Sequence, residues 1–201
     1  MDCGRIYKCL NAQIILAIEY GDQMRQAFVI FDRDGTLIDH VHYLVNPELV
    51  KVKKDLGKAL QLLQNWDFRF GVISNQSVIG RGFATNLDVE LVNSKILEFL
   101  EPLGIEIDFV YFCPHLPGDG CSCRKPEIGL GQRAKNEHYL DPSVSFMVGD
   151  QESDMIFGRN LGCKTVQLTN GADKSAFADY FADTLEEAAR WIVAEMNRKG
   201  S

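Results

Sequence analysis

The chain has 201 residues, 46% of them hydrophobic and 24% charged, with a formal net charge of −7. This is the composition of a globular chain long enough to bury a core, which excludes a disordered or fibrous protein. The negative balance argues against nucleic acid or an anionic membrane surface as partner, but leaves room for a phosphorylated metabolite held by a local metal ion and a few placed cations.

In chain order, residues 1–26 come first and match no later pattern. Their apolar run "AQIILAI" (12–18) is stopped by Glu19, well short of the roughly 18–20 residues a spanning helix needs. It has no small-residue cleavage site after it, so it is not read as a secretion signal. The chain is expected in the cytoplasm, as a monomer, with no membrane partner. An extra helix, an oligomer arm and a misassigned start codon all stay open for residues 1–26, which are set apart as an extension of unknown role. Residues 27–201 are expected to form one domain.

From Ala27 onward, short runs rich in Val, Ile and Phe end in small or acidic residues: "AFVIF" (27–31), "RFGVIS" (69–74), "DFVYF" (108–112), "SFMVGD" (145–150) and "TVQL" (165–168). They read as buried parallel strands. Helical patterns separate them. "LGKALQLLQNW" (56–66) puts Leu56, Leu60 and Leu63 on one face, and "LDVELVNSKILEFLEPL" (87–103) puts Leu87, Leu91, Ile96, Leu97 and Leu100 on another. Further helices are expected over 129–140, over 154–162 with Gly162 as the stop, and over 184–199 behind a Thr184/Glu187 capping box. The alternation predicts an α/β fold, a doubly wound parallel sheet. No insertion large enough for a cap domain follows the first or third strand, so the site is expected to be open. Ligands of such sheets sit beyond the carboxyl ends of the strands, where Asp32/Asp34, Ser74, Cys113 and Asp150 all fall.

The stretch "FDRDGTLI" (31–38) carries two carboxylates two residues apart, followed at once by a glycine. On a strand end both can face the crevice, where their repulsion calls for a cation or a shared proton. Mg²⁺ meets that need and keeps places for phosphate and water. Asp32 is then the candidate nucleophile and Asp34 the candidate proton donor; a plain turn-forming Asp pair is the alternative. "VGDQESD" (148–154) supplies Asp150 as a further metal ligand and Asp154 either as a ligand through water or as an ordinary first-turn helix residue. Ser74 and the loop "NQSVIGRG" (75–82) offer donors for phosphoryl oxygens. His40 and His42 line the substrate entrance or are ordinary loop residues, and His138 is expected to face solvent.

"CPHLPGDGCSCRKP" (113–126) holds Cys113, His115, Cys121 and Cys123, three thiolates and one imidazole, which makes a complete tetrahedral Zn²⁺ set of the structural kind. Its Pro and Gly residues mark a loop without a core, where a metal substitutes for packing. Lys125 is the cation placed to offset Asp32 and a transferred phosphoryl group, and Arg124 can grip a second anionic part of the substrate.

Taken together, "FDRDGT", the Ser after the next strand, the downstream Lys and "GDxxxD" resemble the haloacid dehalogenase superfamily of phosphatases, over about Ala27 to the C-terminus. The zinc loop and "SNQSVIGRG" are similar to its small capless group that acts on histidinol phosphate or heptose bisphosphates. The resemblance implies a Mg²⁺-dependent phosphatase with an aspartyl-phosphate intermediate on Asp32, and Asp34 also binding Mg²⁺ through its carbonyl. It further implies Ser74 and Lys125 on the phosphoryl group, and Asn75, Gln76, Ser77, Arg124 and His40, His42 and Tyr43 on the substrate. The favoured substrate is a heptose 1,7-bisphosphate losing its C7 phosphate, with histidinol phosphate as the alternative. A phosphotransferase and a non-catalytic phosphosugar-binding protein are the competing classes. Val78, Gln151 and the missing Pro-Gly before the first helix depart from the pattern.

Overall fold

The computed structural model describes residues 25–169 and 173–199. The extension at residues 1–24 lies outside the described residues; Gln26 does not stand apart, since its backbone bonds to Tyr139 and Asp141.

Each of the expected apolar runs is a strand: β1 Phe28–Phe31, β2 Arg69–Asn75, β3 Phe109–Cys113, β4 Phe146–Gly149 and β5 Lys164–Leu168. A sixth, β6 Tyr180–Ala182, adds to the edge. All pairings are parallel, in the order β3-β2-β1-β4-β5-β6. The helices are α1 Leu56–Gln64, the single turn α2 Ser77–Gly80, α3 Asn86–Leu100, α4 Gly129–His138, α5 Glu152–Leu161 and α6 Leu185–Lys199.

Strand alternation sorts the core onto two faces. Val29 and Phe31 point to the side covered by α1, α3 and α6, where Leu56, Leu60, Val92, Ile96, Ala189 and Ile192 are buried. Phe28 and Ile30 point to the side of α4 and α5, with Leu130, Ala134, Phe157 and Leu161. Each such Leu or Ile contributes about 1.5–3 kcal/mol by leaving water. Helices on both faces bury β1 completely, so its sequence is apolar throughout rather than alternating.

Two expectations are corrected. In α3 the buried face carries Val89, Val92, Asn93, Ile96 and Leu100, while Leu87, Leu91 and Leu97 are exposed. Ile96 and Leu100 are buried as expected, and Val89 and Val92, seven and four residues before Ile96, complete that face in place of the three leucines. Strand β6 and the turn α2 were not anticipated; three and four residues are too few to show a period. The expected helix stop at Gly162 holds, with φ +99° and its N–H on the Gly158 carbonyl.

Strand β1 is flanked by β2 on one side and β4 on the other, so successive crossovers leave it in opposite directions. The crevice at such a switch point lies beyond the carboxyl ends of β1 and β4. No inserted domain stands over it among the described residues, and none of their helices is long and apolar enough to cross a membrane.

Candidate active site

Asp32 follows β1 directly and its N–H bonds to the Val148 carbonyl of β4 at 2.9 Å, which fixes it at the switch point. Gly35 closes the turn with φ +80°. A Cβ there would lie 2.3 Å from Asp150 Oδ2, so the glycine is required both by its left-handed backbone and by the carboxylate packed on it. Gly149 plays the second role only: a Cβ there would lie 2.3 Å from Asp154 Oδ2.

Lys125 is buried among these acids. Its Nζ donates to Asp32 Oδ1 at 2.6 Å and to the Ile73 carbonyl at 2.6 Å, and pairs with Asp154 Oδ1 at 2.7 Å. All three donors of the ammonium are thus used. Its backbone is held as firmly: the Asn75 side chain accepts from Lys125 N–H at 2.9 Å and donates to the Lys125 carbonyl at 3.0 Å. Burial alone would lower the Lys125 pKa, but the Asp154 and Asp32 carboxylates outweigh it and hold the ammonium above its usual range.

The acids outnumber their partners. Among the described residues, Asp32, Asp34 and Asp154 form ion pairs with Lys125 and Arg33, and Asp150 forms none. Burial pushes the Asp32 carboxyl up to about 7; Lys125 draws it down, and Asp154 and Asp34 push it up again. Burial likewise raises Asp150, with the Gln151 amide opposing and Asp154 assisting. Asp150 Oδ1 is buried without a hydrogen-bond partner among the described residues, while Oδ2 accepts from Gln151 Nε2 at 2.9 Å. One oxygen each from Asp32, Asp150 and Asp154 lie within 4.8 Å of one another. An orphaned carboxylate oxygen in a converging, under-neutralised set is what a hard divalent cation fits. The Asp34 carboxylate stands outside that set, bonded instead to Arg33 and Gln76.

A cleft of about 350 Å³ opens above these groups. It is lined by the anticipated Asp32, Asp34, His40, His42, Tyr43, Asn75, Gln76, Ser77, Arg124, Lys125 and Asp154. Ser74 sits behind the wall, 1% exposed, with its Oγ accepting from Gln76 Nε2 at 3.3 Å. The Asn75 and Gln76 amides, expected on substrate, are engaged within the protein on Lys125 and on Arg33 and Asp34. Gln151, noted above as a departure from the family pattern, and Ser153 also line the cleft; nothing in "GDQESD" separated Ser153 from an ordinary first-turn residue. His138 is corrected: it does not face solvent but rests on Phe109, ring centroids 4.8 Å apart, with Nε2 3.0 Å from Tyr111 Oη. The last turn of α4 packs on edge strand β3, which its sequence alone did not reveal.

The loop gathers the four candidate zinc ligands. Cys113 Sγ lies 3.6 Å from Cys121 Sγ, 3.2 Å from Cys123 Sγ and 3.5 Å from His115 Nδ1, and His115 Nδ1 lies 3.2 Å from Cys123 Sγ. A Zn–S bond of about 2.3 Å gives a tetrahedron with edges near ~3.8 Å, so the donors are already at the right separation. They are far too distant for a disulfide, whose S–S length is about 2.05 Å. Burial pushes the Cys113 thiol up to about 12, with the neighbouring Cys123 thiol adding to the rise. The loop also places Arg124, whose Nη1 donates to the His115 carbonyl at 3.2 Å.

Comparison with known proteins extends these observations. A family model described as HAD-hydrolase-like matches residues 122–190. The D-glycero-beta-D-manno-heptose-1,7-bisphosphate 7-phosphatase of Helicobacter pylori strain J99 is 34% identical over 166 residues, covering 82% of this chain and 95% of the relative. The histidine biosynthesis bifunctional protein HisB of Campylobacter jejuni strain 81-176 is also 34% identical, over 144 residues and 70% of this chain. The chain spans only 41% of that bifunctional relative. Among solved structures, the D,D-heptose 1,7-bisphosphate phosphatase of B. bronchiseptica, complexed with magnesium and phosphate, has the same fold. It aligns with a TM-score of 0.76 at 24% identity, over 85% of this chain and 99% of that one.

Proposed function

We propose, because this chain belongs to the haloacid dehalogenase-like hydrolase family, that it is a Mg²⁺-dependent phosphatase acting through an aspartyl phosphate on Asp32. The observation that carries the reading is Lys125 Nζ, shared by Asp32 at 2.6 Å and Asp154 at 2.7 Å beside the three-carboxylate set. That arrangement neutralises one oxygen of a nucleophile while leaving a cation place next to it.

In this reading Asp32, Asp150 and the Asp34 carbonyl would hold Mg²⁺, with Asp154 as a ligand directly or through water; the ion would offset phosphate charge when bound. An Asp32 carboxylate oxygen attacks phosphorus as the ester P–O bond breaks. The leaving alkoxide takes the proton of Asp34. Water then attacks the phosphorus of the aspartyl phosphate and gives a proton back to Asp34. The P–O bond to Asp32 breaks, freeing phosphate and restoring the carboxylate. Lys125 stabilises charge throughout; Ser74 Oγ, behind the wall, serves the phosphoryl oxygens only from its present place beside Gln76. Cys113, His115, Cys121 and Cys123 hold a structural Zn²⁺ that keeps Arg124 and Lys125 in position. A cytoplasmic location belongs to the same reading, because reducing conditions keep the three thiols available to the metal.

For the substrate, we favour a heptose 1,7-bisphosphate hydrolysed at C7. The supporting fact is the extent of the match within this chain: the Helicobacter relative aligns over 82% of it and the bifunctional histidine-pathway one over 70%. Arg124 and His40, His42 and Tyr43 line the cleft where the second phosphate and the sugar would lie. Equal identity to the bifunctional protein keeps histidinol phosphate as the second reading. The test is phosphate release with Mg²⁺ from both compounds side by side, with Asp32→Asn as blank. Preference for the bisphosphate is expected; preference for histidinol phosphate would reassign the substrate, and no release above the blank would end the phosphatase reading.

A further inference from the structure

Arg33 lies between the two key aspartates, yet it is 1% exposed. Charged side chains are almost never buried so fully without partners. Its guanidinium has three. Nε and Nη2 reach Asp34 Oδ2 at 3.1 and 2.9 Å, and Nη2 also reaches Asp34 Oδ1 at 3.1 Å. Nη2 donates to Gln76 Oε1 at 3.0 Å, and Nη1 donates to Asn93 Oδ1 at 3.0 Å. Gln76 closes the ring by donating from Nε2 to Asp34 Oδ2 at 2.8 Å. Its own backbone is tied to the sheet through a 2.7 Å bond from its N–H to the Cys113 carbonyl.

We infer that Arg33, Gln76 and Asn93 form a clamp that positions the Asp34 carboxylate, with Asn93 of α3 as its outer anchor. This rests on the phosphatase reading above. Arg33 and Gln76 both bond to Asp34 Oδ2, so the carboxyl group is fixed in direction. The fork of a guanidinium is suited to this; an ammonium in its place would keep the charge and lose the direction. Asn93 is not part of the cleft wall. It is 7% exposed on the inner face of α3, where an apolar residue would otherwise pack. The clamp explains that polar intrusion. Arg33 and Asn93 are positioning residues, because they act through Asp34.

The clamp has a kinetic signature. Expulsion of a sugar alkoxide needs a proton from Asp34, and so the first step depends on where Asp34 points. Expulsion of 4-nitrophenolate does not need that proton, but hydrolysis of the aspartyl phosphate still needs Asp34 to take one from water. In Asn93→Leu, kcat on the phosphate ester the wild type prefers is expected to fall about 10- to 100-fold with KM within about twofold. With 4-nitrophenyl phosphate the rapid first release of nitrophenolate should persist while the steady rate falls. Arg33→Lys, which keeps the charge but not the fork, should behave the same way and carries the test if Asn93→Leu does not fold. Burst and steady rates falling together, a change confined to KM, or wild-type kinetics in both variants would overturn the clamp. A wild-type protein that releases no phosphate from any of these esters would instead overturn the phosphatase reading on which the clamp rests.

Discussion

Two clusters in this molecule are shaped for cations, and they are built in opposite ways. The zinc set lies within eleven consecutive residues, Cys113 to Cys123, on one loop. The carboxylate set joins Asp32 to Asp150 and Asp154, more than a hundred residues apart, and exists only because β1 and β4 are neighbours. The first uses soft donors at tetrahedral spacing in a segment rich in Gly and Pro. The second uses hard donors pressed together by glycines that clear the space. A local cluster of this kind supplies structure to a segment that cannot bury a core. A cluster assembled by topology spends the stability of the sheet to hold charges that would otherwise repel.

The largest expected difference between them is functional. Asp32→Asn should lower phosphatase turnover by about 10³-fold or more while leaving the melting temperature at least as high as wild type, since a buried carboxylate is removed. Stripping Mg²⁺ with a weak chelator should likewise stop turnover, reversibly and without unfolding. Measured turnover in Asp32→Asn close to wild type would break the assignment of the nucleophile.

Next in size is the zinc side. Cys123→Ser should cost about 3 kcal/mol, a fall of roughly 6–12 °C in melting temperature. It should also reduce activity through the loss of order at Arg124 and Lys125. Proteolysis confined to residues 114–128 in the variant, with the rest of the chain intact, is the accompanying observation. An unchanged melting curve and unchanged bound zinc would remove the structural role.

Gly35→Ala sharpens the topological cluster. The added Cβ would meet the Asp150 carboxylate at 2.3 Å and carry a φ of +80°. A loss of about 10- to 100-fold in Mg²⁺ affinity is expected by titration calorimetry, with a stability cost near ~1–2 kcal/mol. Mg²⁺ binding at wild-type strength would mean that Asp150 is not a ligand.

A separate effect is in pH. Burial holds the Asp32 carboxyl up at about 7, against 3.8 for the free side chain. The fold therefore favours the protonated acid. Its contribution is full below pH of about 4 and is lost as the pH rises through about 7. The melting temperature of metal-free wild type should thus drop across that window relative to Asp32→Asn, and saturating Mg²⁺ should abolish the difference. Parallel curves for the two metal-free proteins would show that Lys125 already neutralises Asp32.

The contrast between the clusters is also a contrast in legibility. The four candidate zinc ligands could be picked out of the sequence, and the structure brings them together, because nothing but local spacing is needed to gather them. Asp32, Asp34, Asp150 and Lys125 were also nameable, because each directly follows an apolar strand or a metal loop and strand ends converge in this fold. What those residues touch was less legible. Asn75 and Gln76 stood where substrate contacts were expected, and their amides are engaged on Lys125, Arg33 and Asp34. No local pattern singled out Arg33, though it is among the most deeply buried side chains. Likewise Ile96 and Leu100 of α3 were expected inside and are, but Val89 and Val92 complete that face in place of the expected Leu87, Leu91 and Leu97.

By itself, then, the sequence determined the alternation of strand and helix, the doubly wound class, the zinc loop and the order of the chemical groups. These depend on local periodicity and spacing, which a chain carries in one dimension. The tertiary structure alone decided which carboxylates converge, which amides are engaged within the protein, which stripe of α3 is buried, and that Arg33 reaches Asn93 across sixty positions. Those outcomes depend on distances between residues far apart in the chain, and only the packing of the sheet against its helices sets them.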